Sequence, residues 1–188
     1  MGLDMYLVKM PRYKTATARL VETIECYFHW KAYKENEGDL TFQKLYGRNP
    51  PPKEYIDFYE KFSSYGLIAC DVAYWRKANH IHEWFVNKVQ NGVDDCQYHK
   101  EVTRKILVEL LDACNKILDS CDVVNGKNIL TDTSVAEKLL PTVSGLFFGN
   151  TKYDECYIAS IEDTVDQIIT VLETTNFETE MIYYLGDW

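Results

Sequence analysis

Fifteen residues, VAYWRKANHIHEWFV at 72–86, hold two histidines, two tryptophans, an arginine, a lysine and an asparagine. Imidazoles bind metals and exchange protons near neutral pH, so His80 and His82 are the first candidates for chemistry. Two residues apart, they would share a face of a strand and could chelate a metal; on a helix they diverge by about 200°. Ala78, Ile81, Trp84, Phe85 and Val89 advance in steps that follow a helix, and no third ligand stands at a recognisable spacing. A zinc site, or any other cofactor, is therefore not expected.

The same helical reading lines up Arg76, His80, Glu83 and Asn87 at offsets of four, three and four, with Asn79 beside them. One reading is an exposed face stabilised by neighbouring charges. The other is a pocket just past the end of a strand, where sheets of mixed proteins commonly place ligands; it would combine Arg76, Asn79 and His80 with the loop at 144–155, including Tyr153. Trp75 and Trp84 read as core or rim anchors, because base stacking would need more than Arg76 and Lys77 interleaved on their face. Asp94 and Asp95, in NGVDDC after the helix, read as a turn and a cap rather than a catalytic pair, since adjacent side chains diverge.

A second segment, LLPTVSGLFFGNTKYDECY at 139–157, brackets Leu146, Phe147 and Phe148 between two glycines. No GK[ST] follows, so it is not a phosphate loop, and the two phenylalanines are expected to enter the core.

These residues need elements to hold them. Leu3, Met5 and Leu7 alternate with Asp4, Tyr6 and Val8, which predicts a strand almost at the first residue. Spacing and prolines predict a helical pair inserted at 10–66. LIACDVAY at 67–74 is a continuous apolar run that fits a central strand. Thr103 is a fitting N-cap for a helix through Ile106, Leu107, Leu110, Cys114 and Ile117. VVNGKNILTDTS turns around Asn125-Gly126. Ser160 and Asp163 resemble the start of a last helix, followed by a strand in MIYYLGDW. The sum is an α+β fold: a small sheet including the N-terminal and C-terminal strands, packed with several amphipathic helices, in a single domain spanning 1–188.

The chain has 188 residues, 46% of them hydrophobic, which is ample for a core. No long apolar run predicts a membrane span, so a cytosolic setting is expected. Six scattered cysteines without a CxxC pair read as free thiols, mostly buried. The net charge of −9 is uneven: residues 1–108 sum to +2 and residues 109–188 to −11. Such an acidic part either keeps helix faces solvated or occupies a basic groove in a partner. Asp154, Glu155, Glu162 and Asp166 are the candidates for a partner-binding acidic face.

MGLDMYL, then YWRKANHIHEWFV followed by NGVDDC, then LLPTVSGLFFGNTKYDECY with a closing YYLGDW, together resemble a family of small proteins encoded by bacteriophages, prophages and related mobile elements. The resemblance covers residues 1–8, about 70–122 and 134–188; the stretch at 10–66 departs from it. It implies a phage accessory protein in a bacterial cytosol and carries no catalytic residue. Two functions follow as expectations. The first is a binding protein that inhibits a host defence component, for example an anti-CRISPR inhibitor of a nuclease effector, acting through the acidic surface without contacting nucleic acid or membrane. The second is a small-molecule or nucleotide-binding protein or enzyme using the pocket near Arg76 and His80.

Overall fold

Residues 2–12, 70–97 and 99–188 are described by the computed structural model of the protein. Contacts divide the chain into one unit of Met1–Met10 with Cys70–Trp188 and another of Pro11–Ala69. The helical pair expected within 10–66 lies outside the described residues, as do Cys26 and the side chain of Cys70.

The fold is α+β. Strand β1 (Asp4–Pro11) lies between β2 (Cys70–Arg76) and β5 (Glu180–Asp187), so the first and last strands are neighbours. β1 pairs antiparallel with β2, and the register slips between Leu7 and Val8. The alternation read from the sequence is the burial pattern through Leu7, with Leu3, Met5 and Leu7 fully buried and Asp4 and Tyr6 only partly covered; Val8, expected on the other face, is buried as well, past the register slip. β2 is at an edge of this sheet rather than its centre. Its apolar run conceals an alternation, because Ala73 and Trp75 are buried while Tyr74 and Arg76 are exposed; a tyrosine counts as apolar in a sequence yet tolerates solvent through its hydroxyl. The open edge is occupied by a side chain. Gln167 accepts from the Tyr74 backbone N–H at 2.6 Å and donates to the Tyr74 carbonyl at 2.8 Å.

Helix α1 (Asn79–Val89) buries Ile81, Phe85, Val86 and Val89. It starts later than its periodicity suggests, because Lys77 adopts a left-handed φ of 59° and its N–H still pairs with Leu3 O in strand fashion. Gly92, at φ 75°, follows its C-terminal end. Helix α2 (Arg104–Asp119) begins where Thr103 accepts from Ile106 N–H, and it buries Leu107, Leu110, Cys114 and Ile117. A short hairpin of β3 (Asp122–Val124) and β4 (Lys127–Ile129) turns at Asn125 and Gly126, both left-handed, as a two-residue Asn-Gly loop requires. Helix α3 (Ser134–Leu139) is short. Helix α4 (Glu155–Thr174) packs along α2 and against β2. Its first turn is capped by Asp154, which accepts from Cys156 and Tyr157 N–H; Ser160 is inside the helix, not at its start. Asp154 precedes an apolar row at 157, 158, 161 and 168 that already announces this cap.

The core joins Leu3, Met5 and Leu7 to Trp75, Ile81, Phe85, Ile161, Ile168 and Tyr184. Trp75 is buried in it and donates its indole N–H to Thr164 Oγ1 at 2.9 Å. Of the cysteines described with their side chains, Cys114 is buried, Cys121 is half-buried, and Cys96 and Cys156 are exposed, so the thiols are less buried than expected. Burial raises the Cys114 thiol to about 12. Among the described residues no helix is long and apolar enough to cross a membrane.

Candidate functional site

The polar row anticipated on one helix face does not exist as such. Arg76 is the last residue of β2, exposed and 3.6 Å from Asp4, so it is not a helical neighbour of His80. Asn79 and His80 are buried, at 1% and 4% exposure, which rules out the solvated-face reading for them. Glu83 and Asn87 do face each other along the helix at 2.8 Å.

Arg76, Asn79 and His80 nevertheless share one cavity of about 350 Å³, lined also by Lys77, Lys152, Cys156, Ser160 and the loop around Asn150. Four segments converge on it: the end of β2, the start of α1, the loop at 142–152 and the first turns of α4. Asn79 holds two of them together. Its amide donates to Phe148 O at 3.1 Å and Asn150 O at 2.9 Å, and its Oδ1 accepts from Val143 N–H at 2.9 Å. One buried side chain thus satisfies three backbone groups of a loop that no strand or helix would otherwise serve.

That loop places its residues unequally. Phe148 turns inward, edge-on to His82 and Trp188, while Leu146 and Phe147 stay exposed. Phe147 is left-handed at φ 68°, so the chain reverses there and only one ring of the pair can enter the core. Tyr153 does not line the cavity. It stands behind it, its ring edge-on to Tyr157 at 4.9 Å and its hydroxyl accepting from Thr142 N–H at 3.2 Å.

The cavity is cationic. Among the described residues its lining contains Arg76, Lys77 and Lys152 and no Asp or Glu. Arg76 is shared with Asp4, whereas among the described residues neither Lys77 nor Lys152 has a carboxylate within ion-pair distance. No side chain caps the first turn of α1 and no acid lies in it, so the positive end of that helix adds to the same field. On the floor His80 packs against Tyr157 at 4.4 Å, and its Nε2 lies 3.2 Å from Ser160 Oγ. Burial lowers the His80 imidazole to about 3, so it is neutral at physiological pH and a weak base. A serine beside a histidine suggests a nucleophile, but a base this weak suits hydrogen bonding better than proton abstraction.

His82 points away from His80, as helical geometry demands. Its Nδ1 is 2.6 Å from the Tyr184 hydroxyl, and Asp94 Oδ1 lies 2.9 Å from Nε2, off the line of an aligned hydrogen bond. A carboxylate at Nε2 favours the proton there, leaving Nδ1 to accept from Tyr184. Burial lowers the His82 imidazole and Asp94 partly opposes this; burial also raises the Tyr184 phenol. Both His82 and Tyr184 are about 1% exposed, so this pair braces the interior, while Asp94 at the end of the chain is exposed. Asp95 accepts from Gln97 N–H and His99, a turn role as anticipated.

Of the acidic candidates, Asp154 is consumed as the α4 cap. Glu155, Glu162 and Asp166, at offsets of seven and four, share one exposed face of α4, with Asn128 of β4 donating to Glu162 at 2.7 Å. Among the described residues no group of three or more His, Cys, Asp or Glu is arranged to hold a metal. No family model, no curated protein and no solved structure matches this chain.

Proposed function

We propose that the protein binds a small anionic molecule in the cavity between β2, α1 and α4. The observation that carries this reading is the charge imbalance: among the described residues neither Lys77 nor Lys152 is paired with an acid and no carboxylate lines the cavity, in a chain whose net charge is −9. A surface left to solvation alone would mix signs, whereas exposed cations of one sign gathered around a concavity raise the local concentration of anions. Thermal melts with low-millimolar anions against matched sodium chloride test it. A ligand at a hundredfold its Kd should add about 2.7 kcal/mol, and Lys152→Glu should abolish that gain. If no anion raises the melting temperature beyond the chloride control, the reading fails.

A second reading is supported by the exposed acidic row of Glu155, Glu162 and Asp166. In it the protein is a phage-type accessory factor that inhibits a host defence component, such as the nucleic-acid groove of a nuclease effector, by presenting acids to a basic surface. Reversing those three charges together should slow association with a captured effector by about tenfold or more at 0.1 M salt while leaving the melting temperature unchanged. The difference should vanish near 1 M salt, where the Debye length falls to about 3 Å. Equal rates for both proteins at low salt would remove this reading.

A further inference from the structure

Lys77 is one of four non-glycine residues with positive φ among the described residues, at 59°. An L side chain in the left-handed region is strained, and glycine or asparagine would occupy it more easily. Three contacts hold the conformation. The Lys77 N–H donates to Leu3 O at 2.8 Å, α1 starts two residues on, and Gly149 packs so closely that a Cβ there would sit 3.0 Å from Lys77 O and 3.1 Å from Lys77 Cβ. Gly149 is itself left-handed, so both partners of this contact are constrained. The backbone therefore fixes where the Lys77 side chain leaves the chain, at the edge of the cavity, with its Cε close to Gly2 beside the Arg76 guanidinium.

Resting on the anion-binding reading, we infer that Lys77 is the specificity-determining contact of the cavity and that the group it recognises is a terminal phosphate, as in a phosphate monoester or the end of a phosphoanhydride. Two ammonium groups with no acid partner among the described residues, Lys77 at the β2–α1 junction and Lys152 on the 142–152 loop, match the charge of about −2 that a phosphate carries on one centre. Its oxygens radiate tetrahedrally, so one group can meet lysines from two walls and the uncapped first turn of α1 together. A carboxylate is planar and carries one charge; a dicarboxylate divides two charges between separate centres.

The experiment uses the full chain, thermal melts and calorimetric titration, with pyrophosphate, inorganic phosphate and malonate as probes at matched ionic strength. The wild type should be stabilised by pyrophosphate and phosphate and less by malonate. Lys77→Asn should melt at or above the wild type and bind pyrophosphate at least tenfold more weakly, while Lys77→Arg, which keeps the charge, should retain most of the binding. Stabilisation by malonate equal to that by phosphate overturns the phosphate assignment but leaves the anion-binding reading standing. Undiminished pyrophosphate binding by Lys77→Asn overturns the role of Lys77, and a melting temperature well below wild type for that variant overturns the strain argument. Indifference of the wild type to all three probes defeats the anion-binding reading itself.

Discussion

Asn79→Ala should destabilise the protein by about 3 kcal/mol or more, the largest single-residue effect expected for a polar side chain here. The truncation leaves Val143 N–H without its acceptor and Phe148 O and Asn150 O without their donor, in positions shielded by the side chain that is removed. Each unsatisfied buried group costs about 1–3 kcal/mol, reduced where the loop can move out to water. Asn79→Asp is the sharper comparison. It keeps an acceptor for Val143 but turns a second carboxylate oxygen toward two carbonyls, so it should be at least as damaging as alanine despite matching the shape. Chemical denaturation of the three proteins measures this directly; an aspartate variant as stable as wild type would show that the loop is held by something else. Both variants should also lose binding in the cavity, because Asn150 and Thr142 line it from that loop.

Stability should fall as pH drops from 6.5 to 5, before most carboxylates titrate. His80 has its folded pKa lowered from 6.5 to about 3 by burial. The unfolded chain therefore takes up a proton that the folded chain refuses, stability is complete above about 6.5, and it is lost progressively on acidification. Over that interval the loss is about 1.4 kcal/mol per pH unit, or roughly 2 kcal/mol at pH 5, from His80 alone. His82, lowered in the same direction by burial, adds to the loss with the same sign. His80→Gln should be less sensitive to acid than the wild type by about 2 kcal/mol between pH 7 and 5. Urea titrations at the two pH values decide it: equal sensitivity in both proteins would mean that the folded state accommodates a protonated His80.

Periodicity made the outline legible. Leu3, Met5 and Leu7 declared β1, the step of Ile81, Phe85 and Val89 declared α1, and Thr103 marked the start of α2, because each is a local pattern of burial or capping. The centrality of β2 was misread because burial on two faces and a tyrosine on an edge look alike in one dimension. The cavity was half visible. Arg76, Asn79 and His80 lie within five residues of one another, so proximity alone gathered them, although on the wrong secondary structure for Arg76. Lys152, Ser160 and Cys156 enter from more than seventy residues away, and only the folding of the 142–152 loop onto Asn79 brings them in. The pairing of His82 with Tyr184 spans 102 residues and has no local signature at all. Asp154 carried a readable signal, an acid just before an apolar helical row, and it was assigned to a partner instead of to the helix it begins.

Gln167 gives the sheet a boundary made from a single amide. By presenting one acceptor and one donor to Tyr74, it imitates the one rung of ladder that an incoming strand would offer first. A second molecule approaching this margin finds that rung already taken, by a side chain braced on Asp163 one turn earlier in α4. An unprotected strand margin is a template for amyloid-like stacking and domain exchange. The helix that floors the cavity therefore also serves as insurance against self-templated assembly, so that loosening α4 would expose the protein to aggregation as well as opening its cavity.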